Sequence, residues 1–248
     1  MRIQSWFRQL FITALAALAS LSPLAFAEAA SPQVQVQAYA SRATSSLLLL
    51  RGEGFQHSHR QRLESDIQAL AAALQGLPQA SAALRASHLQ LVAQLRRGVA
   101  FGPGEDDVPW GYPQELAKAL REFLHAARQL PGAGGGELSA KVEYLAVQYL
   151  SRAYIGSFEI AREQPDTYLG QDERLLVPAV DQELAALAGQ SDPALNKLRV
   201  RWEYLKAALS DMNSKSNTLQ SVSGRPFAPI TVDRHSRALT QQWMALNP

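Results

Sequence analysis

The chain contains no cysteine in its 248 residues. That excludes a disulfide framework, thiolate zinc sites, covalent c-type haem attachment, a thiol nucleophile and a lipidated cysteine after a leader. Long apolar runs are also lacking: past the first thirty residues no segment has the length and apolarity of a membrane span. Neither sign of charge dominates, with 24 Lys+Arg against 22 Asp+Glu. No Lys/Arg cluster is interleaved with aromatics, so a nucleic-acid partner is not expected. There is no G-x-S-x-G, no P-loop, no G-x-G-x-x-G after a strand and no H-E-x-x-H.

What is there begins with an address. Arg2 and Arg8 form a basic n-region, LFITALAALASL is an apolar run, Pro23 breaks it, and Ala25-Phe26-Ala27 has the small-x-small pattern of a cleavage site. The expectation is a signal peptide over residues 1–27, cleaved after Ala27, and a periplasmic mature protein. An uncleaved anchor is the other reading of the same run. Removing Arg2 and Arg8 leaves 22 bases against 22 acids, a balanced mature chain. A chain of this size buries enough apolar surface to dispense with disulfides after export.

The dominant period is helical. Leu63, Ile67, Leu70 and Leu74 step by four, three and four, and Leu84, His88, Leu91 and Leu95 follow the same rule. So do Leu116 to Leu130, Leu138 to Gly156, Val177 to Leu187, and Leu195, Leu198, Trp202, Leu205, Leu209 and Met212. The short VQVQ after the leader reads as the start of a helix. The spacing predicts an all-α bundle of about six to eight helices. Two breaks organise it: the loop from Phe101 to Pro113 and the Gly-rich connector 131–136. The connector divides a first helical half, 28–130, from a second, 137–248, the two forming one compact domain. The halves resemble each other: Arg42-Ala43 matches Arg152-Ala153, Asp66 matches Asp181, and Pro78 matches Pro193. This suggests a degenerate duplication of a helical hairpin unit.

The least helix-like stretch is DMNSKSNTLQSVSGRPFAPITVDRHSR, from Asp211 to Arg237. The preceding seam can continue through it to Ser216 and Leu219. Thr231 is the expected N-cap of a last helix with the seam Val232, Ser236, Leu239, Trp243 and Leu246. One reading is a solvated helix end and a connector. The sharper one is a polar pocket or docking surface built by Asn213, Lys215, Ser216, Asn217, Arg225, Arg234, His235 and Arg237. Four of these are Lys or Arg, which suits a small anionic ligand or an acidic partner surface.

A second candidate is GSFEIAREQPDTYLGQDE, with carboxylates at Glu159, Glu163, Asp166, Asp172 and Glu173. Paired carboxylates perform glycosidic acid/base chemistry. The stretch reads equally as a capped helix end with Asp166 in a turn. His57 and His59 at i, i+2 do not face one direction on a helix, and Glu105-Asp106-Asp107 lack the spacing of an EF-hand. No metal site and no cofactor are expected.

A leader followed by seam-type helices in two similar halves resembles the periplasmic helical sensor modules of bacterial chemotaxis transducers, in particular the type IV pili transducer input domain. The Trp202-Glu-Tyr-Leu helix running into an Asn/Ser-rich stretch, with a Pro-containing link to a final helix, is also similar to uncharacterised exported proteobacterial proteins. The sequence departs from the transducers in having no second membrane span and no cytoplasmic signalling region. The resemblance therefore implies a helical fold and carries over no functional residue. The favoured function is a non-enzymatic binding or accessory role towards a small anionic ligand or an envelope-complex partner. The alternatives are a cell-envelope glycan-acting enzyme using the carboxylates and a purely structural protein; seam-type helices also leave a homodimer open.

Overall fold

A computed structural model describes residues 31–131, 136–186, 193–210, 212 and 228–246. The expected leader and most of the Asp211–Phe227 stretch lie outside the described residues. The fold is an all-α bundle, with eight α-helices and no strand among the described residues. They are α1 (Pro32–Gly52), α2 (His57–Gln75), α3 (Ala82–Ala100), α4 (Tyr112–Arg128), α5 (Leu138–Ile155), α6 (Glu173–Ala186), α7 (Pro193–Ser210) and α8 (Pro229–Leu246).

Helix starts follow local chemistry. Pro32 opens α1 where its missing N–H costs nothing, and the Ser31 hydroxyl accepts from the Val34 amide at 3.3 Å. Ser81 caps α3 in the same way, accepting from Leu84 at 3.1 Å. The end of α5 is set by Gly156, whose φ of 88° is left-handed backbone that a Cβ would strain. The expected cap at Thr231 falls inside the helix: α8 starts at Pro229, because proline suits the first helical position.

Two helices form the axis of the bundle. Helix α1 packs on α2, α3, α4, α5 and α8, and α5 packs on α1, α6 and α8. Both are buried on nearly every side, from Leu47 and Leu49 to Ser45 and Ser46 on α1, and from Tyr144 and Leu145 to Ala146 and Val147 on α5. Small residues on the two helices, among them Ala40, Ser41, Ala43, Ser139 and Ala140, let the backbones approach. The flanking helices bury one stripe each, and the predicted seams of α2, α4 and α7 are those stripes. On α3 the stripe is rotated. Ser87 is buried in place of His88, and Gly98 completes the face because a Cβ there would lie 2.1 Å from the Tyr112 hydroxyl and 2.8 Å from Leu47. Core residues from all eight helices form one cluster. Each fully buried Leu in it contributes about 1.5–3 kcal/mol.

The succession of a central helix and three flanking helices occurs twice, from α1 to α4 and from α5 to α8. Arg42 and Arg152, matched in the sequence, lie on the two central helices, and each pairs with a buried carboxylate. Asp66 and Asp181 lie on the helices that follow, and each holds a basic side chain.

Candidate functional site

The N-terminal half of α8 carries the part of the polar stretch that can be placed. Asn213, Lys215, Ser216, Asn217 and Arg225 lie outside the described residues. Arg234, His235 and Arg237 lie within one turn of α8 and point to two different environments.

Arg237 faces inward, which corrects its assignment to a ligand-facing surface. Its Nε donates to Asp233 Oδ1 at 2.8 Å, Nη1 to Asp66 Oδ1 at 2.9 Å, and Nη2 to the Arg42 carbonyl and the Ser46 hydroxyl at 2.8 and 2.9 Å. Asp233 also accepts from Arg62 at 2.8 Å, and Ser46 donates to Asp66 at 2.6 Å. One turn along α8, the Thr240 hydroxyl bonds Glu143, which Arg42 contacts through Nε at 2.7 Å. Three arginines and three carboxylates thus balance across α1, α2, α5 and α8. Burial works against the Arg237 charge, but Asp233 and Asp66 outweigh it and raise its pKa above the ordinary arginine value. The network ties the last helix to the axis, and its donors are committed.

Arg234 faces outward. It is exposed and makes no ion pair among the described residues. His235 stacks on Tyr204 of α7, with ring centroids 4.4 Å apart. Burial, then the neighbouring Arg234 and Arg201 charges, hold its imidazole below the usual histidine range. Asn196, Lys197, Val200 and Arg201 share one open face of α7. From Pro193 to Trp202 the helix carries three bases, Lys197, Arg199 and Arg201, and no acid. None of the three has an ion-pair partner among the described residues. Sequence reading missed them because they alternate with the seam residues Leu195, Leu198 and Trp202. The absence of any acid in that helical run was the available signal.

The carboxylates between Glu159 and Glu173 belong to a strap that crosses α5. Tyr144 meets Phe158 and Tyr168 edge-on at 5.5 and 5.3 Å, and its hydroxyl donates to the Leu169 carbonyl at 3.1 Å. These contacts anchor the strap and turn its acids elsewhere. Glu159 pairs with Arg121 of α4 at 3.4 Å, and Glu163 and Asp166 are exposed. Asp172 sits at the start of α6, where a hydrogen bond from Arg174 lowers its pKa despite partial burial. Glu173 is buried, with neither oxygen hydrogen-bonded among the described residues, and faces Arg152 at 3.5 Å. The five carboxylates therefore divide between salt bridges, solvent and the interior. Glu159 also borders a small cavity of about 30 Å³ between α1, α4 and α5, which is large enough for one or two waters.

The histidines are dispersed. His57 is exposed, His59 is buried, and His88 lies beside Phe123 at 6.2 Å. Among the described residues no group of three or more His, Asp or Glu converges as metal ligands, and no helix is long and apolar enough to cross a membrane. In comparison with known proteins, no family model, no curated protein and no solved structure matches this chain.

Proposed function

We propose that the protein is an exported, non-enzymatic binding protein of the periplasm, and that the α7–α8 face is where it engages a small anionic ligand or an acidic partner surface. One observation carries the reading: His235 of α8 stacks on Tyr204 of α7 with the Arg201 and Arg234 charges acting on its imidazole, and neither arginine makes an ion pair among the described residues. Unpaired guanidinium groups on a folded surface are available for the fork-like recognition of carboxylate or phosphate. Val200, exposed at 73 %, adds an apolar contact to the same face.

The test is titration of the isotope-labelled protein with inorganic phosphate and with a short polyglutamate peptide, followed by amide chemical shifts. The expected result is saturable shifts confined to α7 and the first turns of α8, abolished by Arg201→Ala with Arg234→Ala. Shifts that survive this double substitution would remove the α7–α8 face from consideration. The substitutions spare Arg237, whose loss would disturb the interior network and confuse a binding defect with a folding one.

A further inference from the structure

A crevice of about 30 Å³ lies between α1, α4, α5 and the start of the strap, and neither α7 nor α8 borders it among the described residues. Burial separates its floor from its mouth. Thr44 of α1 and Ser151 of α5 are buried at the floor, whereas Gln114 of α4 and Ser157 and Glu159 of the strap are exposed at the mouth. Leu116 and Leu120 of α4, Val147 of α5 and Phe158 of the strap supply apolar walls.

The floor is polar and incompletely satisfied. Ser151 is 5 % exposed, and its hydroxyl has no hydrogen-bond partner among the described residues. The hydroxyls of Ser41, Ser45 and Ser139 also lack partners, but they are sealed in the interior and that of Ser151 is not. Its oxygen therefore opens on the crevice. Thr44 donates to the Ala40 carbonyl at 3.0 Å, which leaves its oxygen free to accept. Together the two hydroxyls can accept a hydrogen bond from a guest and donate one to it.

Size and charge narrow the guest. A water-sized group takes about 10–15 Å³, so the crevice holds roughly two non-hydrogen atoms. Among the described residues that line it there is no base, and its one acid, Glu159, is paired with Arg121 at 3.4 Å. Water alone would satisfy the hydroxyls and leave the apolar walls wetted. A hydroxymethyl group turns one carbon to the walls and one hydroxyl to the floor, and it carries no charge.

The mouth is equipped to receive the rest of such a molecule. In the orientation that satisfies both of its amide atoms, Gln114 donates to the Gly111 and Trp110 carbonyls, each at 3.2 Å. The Trp110 backbone is thereby tied to the rim, and its side chain is 91 % exposed. An exposed indole offers a flat apolar face on which the C–H face of a sugar ring can stack.

We propose that this crevice is a binding site for the hydroxymethyl group of an uncharged sugar or open-chain polyol. It is separate from the α7–α8 face, and neither reading rests on the other.

Titration of the isotope-labelled protein with glucose and with xylose tests it, because xylose in its ring form is glucose without the hydroxymethyl group. The expected result is saturable amide shifts at Thr44, Ser151 and Ser157 with glucose and none there with xylose. Ser151→Ala should raise the glucose midpoint about fivefold, as the loss of one neutral hydrogen bond does. Ala117→Leu, which fills the crevice from the half-buried side of α4, should abolish the shifts. Equal responses to the two sugars, no response to glucose at these residues, or shifts that survive Ala117→Leu would overturn the proposal. Glycerol decides the source of the group. Shifts as strong as those of glucose assign it to an open-chain polyol, whereas a glucose advantage that Trp110→Ala removes assigns it to a sugar.

Discussion

Glu143 has no exposed side-chain surface, and the charge that balances it comes from Arg42. Removing one member of a buried pair leaves the other without compensation, at a cost of about 3–5 kcal/mol. Arg42→Ala should therefore lower the unfolding free energy by about that amount in urea titrations. Arg42→Met combined with Glu143→Leu should recover most of the loss, because no stranded charge remains. Equal destabilisation by the single and double variants would show that packing, not charge, holds this point. The same logic governs Arg237. Its conspicuous place in a polar stretch made it look like a ligand contact, yet Asp66 lies 171 residues away in the sequence and Ser46 lies 191. Sequence spacing resolves neighbours one or two helical turns apart, and nothing local announces a partner at such a distance.

At the scale of the element, the flanking helices and the two central ones obey different rules. A flanking helix is legible because apolar residues recur on one stripe, and Leu63, Ile67, Leu70 and Leu74 of α2 are buried as their spacing required. The axis is less legible. On α1 the serines and alanines between the leucines are as buried as the leucines, so no period separates the faces. Their burial comes from five neighbouring helices rather than from their own polarity. On α3 the four-residue step onto His88 failed by one residue: the buried stripe runs Leu84, Ser87, Leu91, Leu95 and Gly98, and the small Gly98 leaves room for Tyr112. The arrangement predicts unequal tolerance. Aspartate placed singly from Val36 to Leu50 on α1 should prevent folding or severely destabilise at almost every position, since each buries an unpaired charge. On α3, Ala83, Arg85 and Gln90 should accept aspartate within about 0.5 kcal/mol. Thermal melts of the two series check this, and equal tolerance would remove α1 from the axis.

The molecule as a whole should be sensitive to acid in two stages. Burial lowers the pKa of His88 and His235 below the ordinary 6.5, and at His235 the Arg234 and Arg201 charges lower it further. Below pH 6.5 the unfolded chain then binds more protons than the folded one, so stability falls as pH drops through the folded values. Asp172 and Asp181 are held below the ordinary 3.8, chiefly by hydrogen bonds from Arg174 and Lys206. Their contribution is present above that value and is lost as pH falls through the folded pKa values. Urea midpoints measured from pH 8 to pH 3 should decline first below about pH 6.5 and again below pH 4, and His88→Gln with His235→Gln should flatten the first decline. Stability that rises on acidification would contradict both assignments. The axis also sets a timetable. Arg42 sits early in the chain, and its network closes only when Arg237 arrives, 195 residues later. A chain emerging from its N-terminus makes its central helix first and can enclose it last. The face of the first helix that α8 covers must therefore wait until nearly all the rest has been delivered, and the buried charges of α1 stay open to water for as long as the chain is being made.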